Sequence, residues 1–250
     1  PAEIESNEEL FLNGLHLEQY RHATYPPEPY YEEALRRDPL DSRCNNALGL
    51  LLLRRGKFAD AEGYFRTAVK SLTRRNPNPY DGEPYYNLCL SLTFQGRYNE
   101  AVDAFYKAAW NAAWQDSAYF ALARLACRKG AWAEALDLVE RSLSRNTRQL
   151  KAHVLKAAIL RQMGQTDAAI RTAQGALDLD QLDFGAMVEL GRLTGDTTYR
   201  VILQNNVHAY IEIALDAAHA GLFADAIALL HDAPQTDPMV KYFEGWCQLQ

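Results

Sequence analysis

Residues able to hold a metal, move a proton or attack a carbonyl are present, but their spacing assembles none of the sites that use them. The six histidines are His16, His22, His153, His208, His219 and His231, and no two stand at i and i+4, the spacing that places a ligand pair on one helical face. His208 and His219 fall about three turns apart on one predicted helix, too far to share an ion without a third element. Asp178, Asp180 and Asp183 lack the central glycine and closing glutamate of a calcium loop and read as solvated acids between elements. Asp183-Phe184-Gly185 spells a magnesium-binding tripeptide, yet the glycine-rich loop and HRD segment that accompany it in kinases are missing. Glu32-Glu33 is the plainest carboxylate pair, and it sits on a polar face with no partner to set one acid against the other. The chain has no HExxH, GxSxG, GxxxxGK[ST] or GxGxxG. Its four cysteines, Cys44, Cys89, Cys127 and Cys247, form no CxxC pair and read as reduced core thiols of a cytoplasmic protein rather than a disulfide framework or zinc site. These negatives predict a protein without catalytic residues, metal or cofactor.

Composition narrows the class further. Of 250 residues, 48% are hydrophobic and 23% charged, which excludes disorder, and 250 is near the limit for one core, so two domains or an elongated array are required. The longest apolar run, Ala47 to Leu53, stops at Arg54, far short of the roughly 20 residues of a membrane span. A net charge of −6 argues against nucleic acid as partner. Pro1 to Glu9 is acidic and unlike a secretory leader, and a start at Pro1 without methionine suggests a fragment or processed product.

What positions the side chains is a repeat. Asn87-Leu88-Cys89, Gly96, Tyr98, Ala101, Phe105 and Ala108 reproduce the spacing of Ala47-Leu48-Gly49, Gly56, Phe58, Ala61, Phe65 and Ala68. Ala121-Leu122-Ala123, Gly130, Trp132, Ala135, Val139 and Ser142 continue it, followed by Gly164, Ala169, Ala173 and Ala176. The period is about 34 residues, with one insertion in the proline-punctuated stretch Asn76 to Gly82. Small residues recur at Ala61, Ala101, Ala135, Ala169 and Ala226, and again at Ala34, Ala68, Ala108, Ser142, Ala176 and Ala233. Such columns let helix axes approach closely, while Gly56, Gly96, Gly130, Gly164 and Gly221 mark where a first helix must end in a left-handed residue.

This pattern resembles the tetratricopeptide repeat, which has leucine where Leu48 stands, a small residue at Gly49, alanine at Ala61 and Ala68 and an aromatic at Phe65. The resemblance implies an all-α solenoid of about seven antiparallel helical hairpins forming a right-handed superhelix, one array over residues 1–250. Repeats are expected to begin near Glu8, Ser42, Gly82, Asp116, Leu150, Phe184, Val207 and Pro238, the sixth degenerate and the last partial. Pro26-Pro27-Glu28-Pro29 predicts a longer connection in the first hairpin, and Thr194 to Thr198 a short helix in place of the second helix of the sixth. In that family the first helix of each hairpin lines a concave groove. The corresponding places supply Tyr86, Asn87, Phe94, Phe120, Arg124 and Arg128, then Lys151, Arg161, Gln162 and Arg192, with Glu83, Glu189 and Asp196 among them. A mainly basic and aromatic strip on an acidic protein points to a protein or peptide partner of acidic character, unless those cations pair with acids on adjacent helices. The carboxylate clamp of the chaperone-binding members is not reproduced: its five places read, for example, Tyr86, Leu90, Ala121, Lys151 and Leu155.

Trp110 and Trp114 are expected on one face at the end of a second helix, sealing against the next hairpin, with Trp132 in the core. The stretch Phe105 to Asp116, together with Asn13 to Tyr20, resembles the repeat region of bacterial proteins that carry an N-terminal domain of uncharacterised function, DUF5107. The reading is a non-catalytic, cytoplasmic interaction scaffold that binds its partner in the groove. The alternative is an accessory or oligomerisation region of a larger carbohydrate-active bacterial protein, meeting its own N-terminal domain, a second copy or a glycan through Tyr80, Tyr86, Trp110 and Trp114.

Overall fold

Helices carry most of the computed structural model, which describes residues 1–20, 24–78 and 80–250. His22 and Pro79 lie outside the described residues. The described residues form fifteen α-helices: α1 (Asn7–Gln19), α2 (Glu28–Arg37), α3 (Ser42–Arg54), α4 (Phe58–Thr73), α5 (Glu83–Phe94), α6 (Tyr98–Ala108), α7 (Gln115–Arg128), α8 (Trp132–Arg145), α9 (Leu150–Gln162), α10 (Thr166–Leu179), α11 (Phe184–Thr194), α12 (Thr198–Leu203), α13 (Val207–His219), α14 (Phe223–Asp232) and α15 (Pro238–Gln248). They arrange as seven consecutive pairs followed by a single helix. Every expected repeat start falls within one residue of the start of an odd-numbered helix. The chain divides into two compact units, Pro1–Ala118 and Tyr119–Gln250.

The columns of small residues are where the helices meet. Ala61, Ala101, Ala135, Ala169 and Ala226 have no exposed surface, and the second column is equally closed apart from a trace at Ala233. Ser142, the one polar member, donates from Oγ to Oε1 of Gln149 at 2.6 Å, so its burial leaves no unmet hydroxyl. Gly49 shows how tight the approach is: a Cβ there would stand 2.6 Å from the Phe65 ring, bringing α3 directly against α4. The turn glycines obey a different constraint. Gly56 has φ +74° with nothing within 4 Å of where its Cβ would be, so conformation rather than space selects glycine there.

Several odd-numbered helices start on short polar side chains. Asp41 accepts from the backbone N–H groups of Arg43 and Cys44, Asp183 from Ala186, and Asp237 from Met239. Asp183 is thus a half-buried cap rather than a solvated acid. As expected, the first pair has a long connection, from Gln19 to Glu28, and α12 is a six-residue substitute for a full second helix.

The two tryptophans differ from expectation. The helix α6 ends at Ala108, and Asn111 starts a 3₁₀ turn by accepting from Ala113 N–H, so Trp110 and Trp114 do not share a helical face. Trp114 packs on Tyr86 with ring centroids 4.9 Å apart, while Trp110 is 60% exposed beneath the Lys107 ammonium. Trp132 is half-buried at the start of α8.

Candidate functional site

The odd helices of the second unit, α7 from Tyr119 onward with α9, α11 and α13, surround a cavity of about 450 Å³. Its floor is apolar: Leu150, Val154, Leu155 and Ala158 come from α9, Phe184 from α11 and Ile213 from α13. These side chains stand on regular helices packed through closed alanine columns, so the cavity walls are rigid elements. Phe120 and Arg124 stand on α7 at one side, with the guanidinium 5.6 Å from the ring centroid. Leu182, in the turn between α10 and α11, lies at the opening and is 68% exposed.

The residues expected to form the strip divide by position. In the first unit, Asn87 is buried and donates to Asn46 Oδ1 at 3.0 Å, Tyr86 packs between Trp114 and Phe105, and Phe94 stacks on Phe58 at 4.8 Å. In the second unit, Phe120, Arg124, Lys151 and Arg192 reach the cavity. Arg128, Arg161 and Gln162 do not line it; Gln162 is exposed at the end of α9.

The cations are engaged within the fold. Arg161 donates from Nε to Glu189 Oε1 at 2.6 Å and from Nη2 to Asp225 Oδ2 at 2.5 Å. Arg192 donates to Glu189 Oε2 at 3.2 Å and to the Asp225 carbonyl at 2.8 Å. Glu189, 1% exposed, is thereby held between two guanidinium groups. Lys151 reaches Asp216 at 2.8 Å and Glu212 at 3.2 Å, and although burial works against its charge these carboxylates leave its pKa raised. Arg128 donates to the Ala218 carbonyl at 3.1 Å and lies 5.2 Å from the Phe223 ring centroid. Arg128, Lys151, Arg161 and Arg192 of the strip are thus hydrogen-bonded or ion-paired within the fold.

Further cavity-lining side chains come from α13. His208, Glu212 and Ile213 face the cavity with Asp216. The repeat phase that selected Lys151 on α9 also selects His208 and Glu212 when carried on to the repeat beginning at Val207. His219, in the last turn of α13, is held neutral, its pKa lowered to about 4 first by burial and then by Arg124, Arg128 and Lys151.

Among the described residues no three of His, Cys, Asp and Glu are placed to hold a metal, and no helix is long and apolar enough to cross a membrane. All four cysteines are buried free thiols, and burial pushes those of Cys44 and Cys127 up to about 12.

Tetratricopeptide repeat models match residues 28–79, 118–151 and 150–181, so the chain carries tetratricopeptide repeats in both units. Solved structures agree on the fold. A tetratricopeptide repeat protein from Parabacteroides merdae is 14% identical with a TM-score of 0.67, the match covering 97% of this chain and 98% of that one. Pseudomonas aeruginosa pilF is 19% identical with a TM-score of 0.67, over 79% of this chain and 90% of that one. YrrB, described as a TPR protein with an unusual peptide-binding site, is 17% identical with a TM-score of 0.53, over 84% and 94% of the respective chains.

Proposed function

We propose that this chain is a non-catalytic interaction module whose second unit takes apolar side chains of a peptide or protein segment into the α7–α9–α11–α13 cavity. The observation that carries the reading is the cavity itself: about 450 Å³ over an apolar floor on rigid helices, a volume that accepts a few side chains. Fixed helices limit the ordering cost of binding to the partner. The peptide-binding site described for YrrB, on the same fold, supports this use of a repeat array. Four buried free thiols support a reducing compartment, the cytoplasm.

The alternative, glycan contact or self-association through Tyr80, Tyr86, Trp110 and Trp114, has less to stand on. Tyr86 and Trp114 cover each other, which leaves Tyr80, 80% exposed, and Trp110 as the available rings.

A photo-crosslinking residue at Leu182, beside the opening, tests the reading in cells. It is expected to trap a partner, and Val154→Trp, which fills the floor, is expected to abolish the adduct while the melting temperature holds. An unchanged adduct in the filled variant would move the site elsewhere.

A further inference from the structure

The sign of charge around the same cavity leads to an inference that rests on the reading above. Five carboxylates line it, Asp180, Asp183, Glu189, Glu212 and Asp216, against three cations, Arg124, Lys151 and Arg192. Their pairing concentrates the excess on one side. Glu189 is satisfied by Arg161 and Arg192, whereas Lys151 is shared by Glu212 and Asp216. Asp180 and Asp183 have no cation within ion-pair distance among the described residues; each accepts only from nearby backbone N–H groups, Asp180 from Leu182 at 2.9 Å and Asp183 from Ala186 at 2.9 Å. Asp183 is half-buried, and its pKa is raised first by burial, with the charges of Asp180 and Asp216 adding to the effect. An acidic rim beside an apolar floor, bounded by low-dielectric walls, attracts positive charge and repels negative charge.

We infer that the occupant of this cavity is a peptide segment of basic character, inserting apolar side chains between α9, α11 and α13 while a neighbouring lysine or arginine meets Asp180 and Asp183 at the rim. This differs from the acidic partner expected from the strip of arginines. Of those arginines, Arg161 and Arg192 face carboxylates of their own fold, and the carboxylates without a cation, Asp180 and Asp183, are the ones left to recognise a ligand.

The test is a selection from a displayed random-peptide library on the intact chain, run in parallel on Val154→Trp so that only cavity-dependent sequences are kept. Those sequences are expected to pair apolar residues with Lys or Arg, and the best of them, as a labelled synthetic peptide, to lose about tenfold in affinity on Asp180→Asn with Asp183→Asn. Asparagine keeps the oxygen that accepts from Leu182 and Ala186 and serves equally well as a cap, so the fold is unaffected and only charge is removed. Cavity-dependent sequences that are acidic or uncharged would overturn the inference and leave the proposed function standing. No cavity-dependent sequence at all would overturn both. Should Val154→Trp lower the melting temperature, Ala209→Trp on the α13 wall takes its place.

Discussion

Asn87 on α5 donates its side-chain amide to Asn46 on α3 across 3.0 Å, and both residues are buried. A position that repeat phase assigns to ligand binding is thus occupied by a polar tie between successive hairpins. Asn87→Ala leaves the Asn46 oxygen without that donor, and the expected cost is about 1–3 kcal/mol. Urea denaturation of the intact chain measures it, and wild-type stability would mean that the pair contributes nothing.

Arg161→Glu is expected to destabilise the second unit rather than merely alter a surface. It removes the closest cation from Glu189 and places a carboxylate against it, and breaking a buried pair in this way costs roughly 3–5 kcal/mol. A large drop in melting temperature is expected.

Ala101→Leu tests the alanine column. Ala101 is fully buried in α6, and the added methylenes have no room, so a loss of about 1–3 kcal/mol is expected. An unchanged melting temperature would mean that α6 does not approach its neighbours as described.

His219 makes stability depend on pH. Its folded pKa, about 4, lies below the ordinary value of 6.5, so the unfolded chain binds the proton more readily. The contribution is fully present above about pH 6.5 and is lost as pH falls towards 4, amounting to an order of 3 kcal/mol. His219→Asn is expected to flatten this part of the curve, read as denaturation midpoints at pH 7 and pH 5. An equal pH response in the variant would assign the dependence to other groups.

The fold was legible in the sequence because its signals are local. A glycine with φ near +74° and an alanine at zero exposure recur at fixed places, and each carries its constraint within one hairpin. The site was less legible. Phase identifies Lys151 and Arg192 as facing the cavity, but Arg161 meets Glu189 at a separation of 28 residues and Asp225 at 64, and no local pattern announces pairings of that range. The two tryptophans were misplaced for a smaller reason: Asn111 ends the helical path by capping a 3₁₀ turn, a side-chain choice that periodicity does not register.

The single guanidinium of Arg161 also has a mechanical meaning. It stands on α9, its partner Glu189 on α11 and its other partner Asp225 on α14, so one side chain fastens three successive hairpins. Arrays held only by nearest-neighbour contacts fray from their ends, one hairpin at a time. Here the pair α13 and α14 cannot peel away without stripping Asp225 from the same cation that neutralises Glu189. One cation thereby ties the last three hairpins, a contact beyond nearest neighbours that opposes fraying from that end.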